Sequence, residues 1–345
     1  MGLPEKGKIT LPHKFKKGKN NLITDVPGVT VGQVTLIDDE KHIHTGVTAI
    51  LPHQGNVFRE KTAAGACVIN GFGKSAGLVQ IEELGTLETP IVMTNTLSVG
   101  TALNALVEYK LSRNPDIGVS TGTVNGVVVE CNDGELNDIR GLHVKEEHVL
   151  QALSHTGITF EEGAVGAGTG MCCMGLKGGI GSSSRILEID GRPYTLGVIL
   201  MSNFGVRGNL RIDGKRINTE KERTDAICEK KEKGSVIVVL ATDIPLSDRQ
   251  LKRIAKRSGV GLARVGSFLG NGSGDIALAF SNGNLIPHYS EKKILETKMF
   301  HDDAMDMIFE ATAEVVEEAV LSSMYYAPTT TGIRGTVRYG LTEFM

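Results

Sequence analysis

The chain has 345 residues, of which 40% are hydrophobic and 22% charged, as is typical of a soluble globular protein with a large core. A net charge of -3 provides no basic surface for nucleic acid, and no apolar run approaches the roughly 20 residues that a membrane-spanning helix needs. The basic N-terminus lacks the apolar stretch of a secretory signal. We therefore expect a cytoplasmic protein that binds neither nucleic acid nor a membrane.

In chain order, short β-branched runs bounded by Gly, Pro or Asn predict buried strands over 29–36, 46–52, 65–70, 89–95, 194–203, 235–243 and 275–281. Apolar residues recur at helical spacing over 98–111, 144–155, 247–258 and 302–325. Ser247 is the expected N-cap of the third of these helices. Because helices and strands mix along the whole chain, the pattern predicts an α/β fold.

The cysteine and glycine contents indicate the state of the thiols and the positions of tight turns. The five cysteines are Cys67, Cys131, Cys172, Cys173 and Cys228, an odd number with no C-x-x-C motif, so we predict free thiols rather than a disulfide framework. The 43 glycines exceed the usual share of about 7% and cluster between predicted strands. Glycine at such positions indicates tight turns or close backbone approaches.

Residues 204–234 differ from the rest because they are polar, charged and only weakly periodic. They predict a long surface segment, where a break in the chain does least structural harm. The segment ends at Gly234, and Ser235 opens an apolar strand directly afterwards. Two interpretations stay open at this point: a turn with a hydroxyl at a strand edge, or a cleavage site that makes Ser235 a new N-terminus.

Several motifs partly match cofactor or metal sites. NGFGKSAG (70–77) lacks the first glycine of a phosphate-binding loop, and GAGTGM (166–171) breaks the dinucleotide-binding spacing, so both predict glycine-rich turns. His42 and His44 share one side of an extended segment, but two imidazoles alone are weak evidence for a metal. We expect neither a cofactor nor a metal.

Polar residues at the ends of three predicted strands are candidates for chemistry. Ser273 and Asp275 open the strand 275–281 and, at a spacing of two, would point to the same side. Asn203 ends the strand 194–203 and could aim an amide donor into a pocket. Turn-forming roles for all three residues remain open on the sequence alone.

Taken together, five segments resemble, in order, the landmarks of one enzyme family. They are NNLITDVPGVTVGQV, GAVGAGTGMCCMGLKGGIGSSSR, LGVILMSNFG, GSVIVVLATDIPL and GNGSGDIALAFS. The family is the L-aminopeptidase/D-esterase group, which includes the β-peptidyl aminopeptidases and resembles N-terminal-nucleophile hydrolases. The resemblance implies one αββα sandwich over 1–345, made as a precursor that cuts itself into 1–234 and 235–345 with 204–234 as a surface linker before the cut. It also implies a homo-oligomer.

The resemblance assigns roles to individual residues. It implies cleavage between Gly234 and Ser235, with Ser235 as the nucleophile, Ser273 as a supporting serine and Asp275 as an acid. Asn203 matches the side-chain donor of the oxyanion hole. Glycine at 234 would allow the backbone strain that such a cleavage needs.

Two further residues lie in VVVECNDGELND (127–138), which matches a family segment that often carries Tyr where this chain has Asn132. Asn132 can also donate to an oxyanion, over a shorter reach. Glu130 is open to two interpretations, either an ion pair with the ammonium group of a substrate or a solvated acid beside a turn.

The expected function is therefore a self-processing aminopeptidase or amidase that releases N-terminal residues from peptides, amino-acid amides or esters. Two alternatives stay open, an uncut protein that binds small amines and an amidase with non-peptide substrates. The chirality of the substrate is not given by these residues.

Overall fold

The computed structural model describes residues 9, 11–219 and 233–345. Within these residues seven of the strands follow the predicted apolar runs. In chain order the strands are β1 (Thr30–Asp38), β2 (Ile43–Leu51), β3 (Glu60–Gly71), β4 (Thr86–Leu87), β5 (Ile91–Asn95), β6 (Val127–Cys131), β7 (Cys172–Cys173), β8 (Leu176–Lys177), β9 (Ile180–Ile189), β10 (Arg192–Asn203), β11 (Arg211–Ile212), β12 (Lys215–Arg216), β13 (Lys233–Thr242), β14 (Gly272–Pro287), β15 (Thr330–Thr331) and β16 (Val337–Arg338).

The α-helices of the described residues include all four that the periodicity predicts. They are α1 (Leu78–Leu84), α2 (Val99–Leu111), α3 (Glu146–Ser154), α4 (Asp248–Arg264) and α5 (Asp306–Tyr325). The predicted N-cap is confirmed, since the hydroxyl of Ser247 accepts from the backbone N–H of Gln250 at 3.3 Å. The Gln250 side chain accepts from the backbone N–H of Ser247 at 3.0 Å in return. This reciprocal pair satisfies two N–H groups that a helix start leaves unpaired.

Two sheets form the centre of the molecule. One has four strands in the order β1-β2-β5-β6, and the other has six in the order β4-β3-β14-β13-β10-β9. A buried cluster between them draws side chains from both sheets, including Ile50, Met93, Val129, Ile199, Ile237 and Leu278. Alternation along each strand explains why only every second residue belongs to this cluster.

The helices cover the outer faces of the two sheets. Helices α2 and α3 pack on the four-stranded sheet through a cluster that includes Val47, Leu106 and Val149. Helices α4 and α5 pack on the six-stranded sheet through a larger cluster with Leu240, Ile254 and Val316. The layers therefore run helix, sheet, sheet, helix, and the predicted αββα sandwich is confirmed.

Strand β9 was not predicted, because its sequence is rich in serine rather than apolar residues. The hydroxyl of Ser182 donates to the carbonyl of Val198 at 2.6 Å, and that of Ser183 donates to Val315 at 2.7 Å. These bonds satisfy buried hydroxyls and so allow a polar strand at this position. Strand β6 was also not predicted.

The segment 204–234 is only partly a surface linker, which corrects the prediction for its described part. Phe204 and Leu210 are buried in the cluster on the helix side of the six-stranded sheet, and β11 and β12 form a small hairpin after them. Two apolar residues among polar ones give no periodic signal, so sequence patterning could not reveal this packing. Residues 220–232, with Cys228, lie outside the described residues.

Four of the cysteines lie within the described residues. Cys67, Cys131, Cys172 and Cys173 form no disulfide bond. Across 11–219 and 233–345 no helix combines the length and the apolar character needed to cross a bilayer.

Candidate active site

Strand pairing brings the predicted site residues to one end of the six-stranded sheet. Strand β10 runs antiparallel to β13, with Asn203 directly opposite Ser235. Strand β14 runs parallel to β13, with Ser273 opposite Gly234. The last residue of β10 therefore lies beside the start of β13, which in turn lies beside the start of β14, although these residues are far apart in the chain.

The side chain of Ser235 is buried, with 4% of the residue exposed. Alternation along β13 places it on the same face as Ile237, towards the space between the two sheets. There it lies in hydrogen-bonding contact with the thiol of Cys131 from β6. Burial raises the pKa of this thiol well above its ordinary value, so Cys131 stays protonated and does not compete as a nucleophile.

Ser273 and Asp275 form a fully buried pair beside the Gly234–Ser235 peptide. The Ser273 hydroxyl donates to Oδ1 of Asp275 at 2.6 Å, so the predicted proximity of the two side chains is observed. Alternation along β14 places both on the face of Ala277, opposite to the face of the Ser235 hydroxyl. The pair is thus next to the peptide group itself rather than next to the hydroxyl.

Asn203 is held by partners that are distant in the chain. Its Oδ1 accepts from the backbone N–H of Cys172 at 2.9 Å, and its Nδ2 donates to the carbonyl of Asn132 at 3.0 Å. These contacts lie 31 and 71 residues away, so they argue against a local turn cap. They also fix the orientation of the amide, with its oxygen towards Cys172 and its NH₂ group on the opposite side.

The side chain of Asn132 closes its own turn. It is exposed, and its Oδ1 accepts from the backbone N–H of Gly134 at 2.9 Å. Its contact with Asn203 is made by the backbone carbonyl instead. The suggestion that the Asn132 side chain supplies an oxyanion donor therefore gains no support from these contacts.

Glu130 is not a solvated acid, because only 3% of the residue is exposed. One carboxylate oxygen accepts from the backbone N–H of Lys74 at 2.7 Å, and the other accepts from the hydroxyl of Thr96. Lys74 belongs to the glycine-rich stretch 70–77, which connects β3 to α1 as the predicted turn. No local sequence pattern indicates that this turn contacts Glu130.

Gly234 is required by a close approach of two strands. A Cβ at this position would lie 2.0 Å from the carbonyl oxygen of Asn203 and 3.0 Å from its carbonyl carbon. The expected reason, a strained backbone that only glycine tolerates, is not observed, since Gly234 lies inside β13 and is not among the glycines of positive φ. Close packing against β10, rather than an unusual dihedral angle, excludes a side chain here.

Comparison with known proteins identifies the family. The model of peptidase family S58 matches residues 21–338, which is most of the chain. The chain belongs to peptidase family S58. The predicted family resemblance and the predicted enzymatic function, a hydrolase of the aminopeptidase type, are confirmed.

Similarity to three relatives extends over most of this S58 peptidase. The β-peptidyl aminopeptidase BapA of Sphingosinicella microcystinivorans is 39% identical over 353 residues, covering 96% of this chain and 88% of that protein. The PH0078 protein of Pyrococcus horikoshii OT3 has a solved structure with a TM-score of 0.90 and 52% identity, covering 97% of this chain and 94% of that one.

The third relative is the L-aminopeptidase D-Ala-esterase/amidase of Ochrobactrum anthropi, described as a prototype of the serine aminopeptidases. Its structure superposes with a TM-score of 0.87 at 37% identity, covering 96% of this chain and 93% of that one. That structure is described as a new variant of the Ntn hydrolase fold, in agreement with the αββα layers of this chain.

One buried lysine of the S58 peptidase was missed by sequence reasoning. Lys177 is fully buried, and its ammonium group donates to three carbonyls, those of Gly168, Met171 and Gly178, at 3.3, 2.8 and 2.7 Å. Burial lowers its pKa to about 8. A signal was present, since Lys177 is the only charged residue between Glu162 and Arg185.

The structure shows the surroundings of His42 and His44, the two weak candidates for metal ligands. Within 11–219 and 233–345 no group of three or more His, Cys, Asp or Glu side chains is placed to hold a metal ion. His44 is buried, with its Nε2 3.4 Å from a carboxylate oxygen of Asp39. His42 and His44 therefore have no third ligand among these residues.

The close approach at Gly234 leads to a first prediction. Gly234→Ala should lower the free energy of unfolding by about 1–3 kcal/mol, because the new methyl group meets backbone atoms that cannot move aside cheaply. Urea unfolding in a Ser235→Ala background, where a single chain is expected, measures this loss. Gly100→Ala is the control, since a Cβ there meets nothing within 4 Å and alanine favours the helix. Equal midpoints for both variants would contradict the described packing.

Proposed function

We propose that this S58 peptidase is a self-processing serine aminopeptidase that cuts its own chain between Gly234 and Ser235 and then uses Ser235 as an N-terminal nucleophile. The observation that carries the proposal is the register of three strands. It sets the amide of Asn203 opposite Ser235, with the Ser273–Asp275 pair beside the peptide to be cut.

The self-cleavage is an acyl shift followed by hydrolysis. The hydroxyl oxygen of Ser235 attacks the carbonyl carbon of Gly234, and the peptide C–N bond breaks as the nitrogen takes up a proton. The resulting ester then reacts with water, which leaves a carboxylate on Gly234 and a free α-amine on Ser235. Burial of the hydroxyl on a central strand supports this step, because it holds the nucleophile in place.

The new α-amine is the general base of the peptidase reaction. Its ordinary pKa is about 7.7–8, so part of it is unprotonated near neutral pH and can accept the proton of the hydroxyl. The hydroxyl oxygen attacks the substrate carbonyl, an acyl-enzyme forms as the amine of the substrate leaves, and water releases the acid. The strand register places Ser273 and Asp275 beside this amine. The Asp275 carboxylate stabilises the protonated form of the amine.

Asn203 supplies the side-chain donor for the oxyanion. Its Oδ1 is already held by the N–H of Cys172, so its NH₂ group is oriented before a substrate arrives. Orientation in advance is what makes a donor effective at a transition state. In the uncut chain this NH₂ group contacts the carbonyl of Asn132, a position that the oxyanion takes over.

Glu130 gives the enzyme its preference for a free amino terminus. Its buried carboxylate accepts from two neutral groups, the N–H of Lys74 and the hydroxyl of Thr96. A buried negative charge of this kind favours a cationic partner, and the ammonium group of a peptide provides one. Peptides are the substrate class of the family. The proposed substrates also include amino-acid amides and esters.

Two further expectations accompany the proposal. A homo-oligomer and a cytoplasmic location stay predictions from the sequence. The alternative of an uncut, non-catalytic amine-binding protein is not supported, because the chain belongs to a peptidase family.

The test is the covalent state and activity of the purified protein. Intact mass and N-terminal sequencing should show two associated chains, the smaller one starting at Ser235. A panel of aminoacyl p-nitroanilides with L-, D- and β-amino acids should then define the substrate, with N-acetylated versions as controls that lack the ammonium group. A smaller chain that starts elsewhere overturns the choice of nucleophile, and equal turnover of acetylated substrates overturns the role of Glu130.

A further inference from the structure

A second layer of groups lies behind the Asn203 amide. Lys177 is the last residue of β8, and it is fully buried. The same region holds the buried carboxyl of Asp133, whose pKa burial raises to about 7, and the thiol of Cys172, whose pKa burial raises to about 12. The types of these residues do not distinguish a structural cluster from a functional one. The direction of the hydrogen bonds in the cluster does.

Lys177 is linked to Asn203 through a single peptide group. The ammonium group donates to the carbonyl of Met171 at 2.8 Å. The N–H of the same Met171–Cys172 peptide donates to Oδ1 of Asn203 at 2.9 Å. Nδ2 of Asn203 donates onwards at 3.0 Å. Every donor in this chain points the same way, from the ammonium group to the NH₂ group of Asn203.

Such an arrangement affects the strength of the last donor. A cation at a carbonyl oxygen withdraws electrons from the peptide, which makes its N–H a stronger donor, and the effect continues through the next amide. The low dielectric of a buried site increases it. A neutral residue at 177 would fill the same volume without this polarisation.

Lys177 also restricts where the peptide can move. Its other two bonds, to the carbonyls of Gly168 and Gly178, tie both ends of the turn that carries Met171 and Cys172. The Met171 carbonyl is held a second time by the N–H of Gly178 at 2.9 Å. The glycine-rich turn is thereby fixed against β10, where Asn203 ends the strand.

We propose that Lys177 is a positioning residue that orients and polarises the Asn203 amide through the Met171–Cys172 peptide, and so strengthens the oxyanion donor. The inference rests on the proposed function, in which Asn203 is that donor. Lys177 itself touches neither the substrate nor the nucleophile.

The experiment is a double-mutant cycle between Lys177→Met and Asn203→Ala, with turnover expressed per cut molecule. Lys177→Met should lower kcat about tenfold and change KM less than about twofold, a coupling typical of residues in one hydrogen-bond network. In the Asn203→Ala background the same change should lower kcat by less than about twofold, because the group it acts through is gone. A purely structural lysine would lower kcat by the same factor in both backgrounds.

Lys110→Met is the matched control. Lys110 is also buried, donates to Oδ1 of Asn56 at 3.2 Å and has a pKa lowered to about 8, but it lies on α2 away from β13. Its loss should leave kcat within about twofold of the parent. If Lys177→Met gives no soluble protein, Lys177→Gln replaces it in the cycle, since glutamine keeps a donor without the charge.

The outcomes separate the two proposals. If Asn203→Ala lowers kcat but Lys177→Met acts equally in both backgrounds, the role of Lys177 is overturned and that of Asn203 stands. If Asn203→Ala leaves kcat unchanged per cut molecule, the oxyanion assignment fails and the inference about Lys177 falls with it.

Discussion

Ser235→Ala is expected to yield one uncut chain of 345 residues with no measurable peptidase activity. The substitution removes the oxygen that attacks the Gly234 carbonyl, and without the cut no α-amine forms. The neighbouring thiol of Cys131 cannot replace it, because burial raises the pKa of that thiol and keeps it protonated. Denaturing gels and turnover of an aminoacyl p-nitroanilide measure both effects.

Ser235→Cys is the matched variant, since it keeps a nucleophile of similar size at the same position. It should still cut, more slowly than the parent. If Ser235→Ala appears as two chains with a break before residue 235, another group performs the cleavage and the proposed nucleophile is wrong. The fold should persist in both variants, which circular dichroism verifies.

Asn203→Ala is expected to lower kcat/KM on an amino-acid amide by roughly 10²–10³, the range for loss of one oxyanion donor. The contacts of Asn203 also predict a loss of about 1–3 kcal/mol in the free energy of unfolding, because the N–H of Cys172 and the carbonyl of Asn132 lose their partner. Turnover must be expressed per cut molecule, so that any change in self-cleavage is separated from the change in catalysis.

Asn137→Ala separates the catalytic effect from the structural one. Asn137 is also buried, and its amide accepts from the distant backbone N–H of His44 at 3.0 Å and donates to a carboxylate oxygen of Asp133, four residues away, at 3.1 Å. Its loss should reduce stability by a similar amount and leave turnover per cut molecule nearly unchanged. Equal turnover of the two variants would remove Asn203 from the site.

Much of the fold was predictable because its strands are apolar and its helices periodic. The α/β class follows from seven strands and four helices that the pattern located, although β3, β14 and α4 extend further than predicted. The αββα layering was implied by the family resemblance. Strand β9 escaped because the hydroxyls of Ser182 and Ser183 replace apolar contacts with hydrogen bonds to distant carbonyls. Those partners belong to other elements, so no local pattern encodes them.

The residues of the candidate site could be predicted from the sequence. The contacts that orient their side chains could be predicted less well. Family resemblance selected Ser235, Asn203, Ser273 and Asp275, and strand pairing brings them together. The contacts that orient Asn203 come from residues 31 and 71 positions away, which a single sequence cannot relate. For the same reason the burial of Glu130 against a glycine-rich turn was open until the structure placed Lys74 and Thr96 on it.

The central place of β13 and β14 in the six-stranded sheet has a consequence for how a cut molecule refolds. Apart from Lys233 and Gly234 at the start of β13, both strands belong to 235–345. They are flanked by β10 on one side and β3 on the other, which belong to 1–234. After the proposed cut, the smaller chain would thus be inserted between two parts of the larger one. Once the chain is cut, folding changes from a unimolecular to a bimolecular reaction, and recovery after unfolding depends on protein concentration. If the proposed cut occurs, an uncut precursor would refold at a rate independent of dilution, whereas the cut enzyme would rely on slow unfolding for its lifetime.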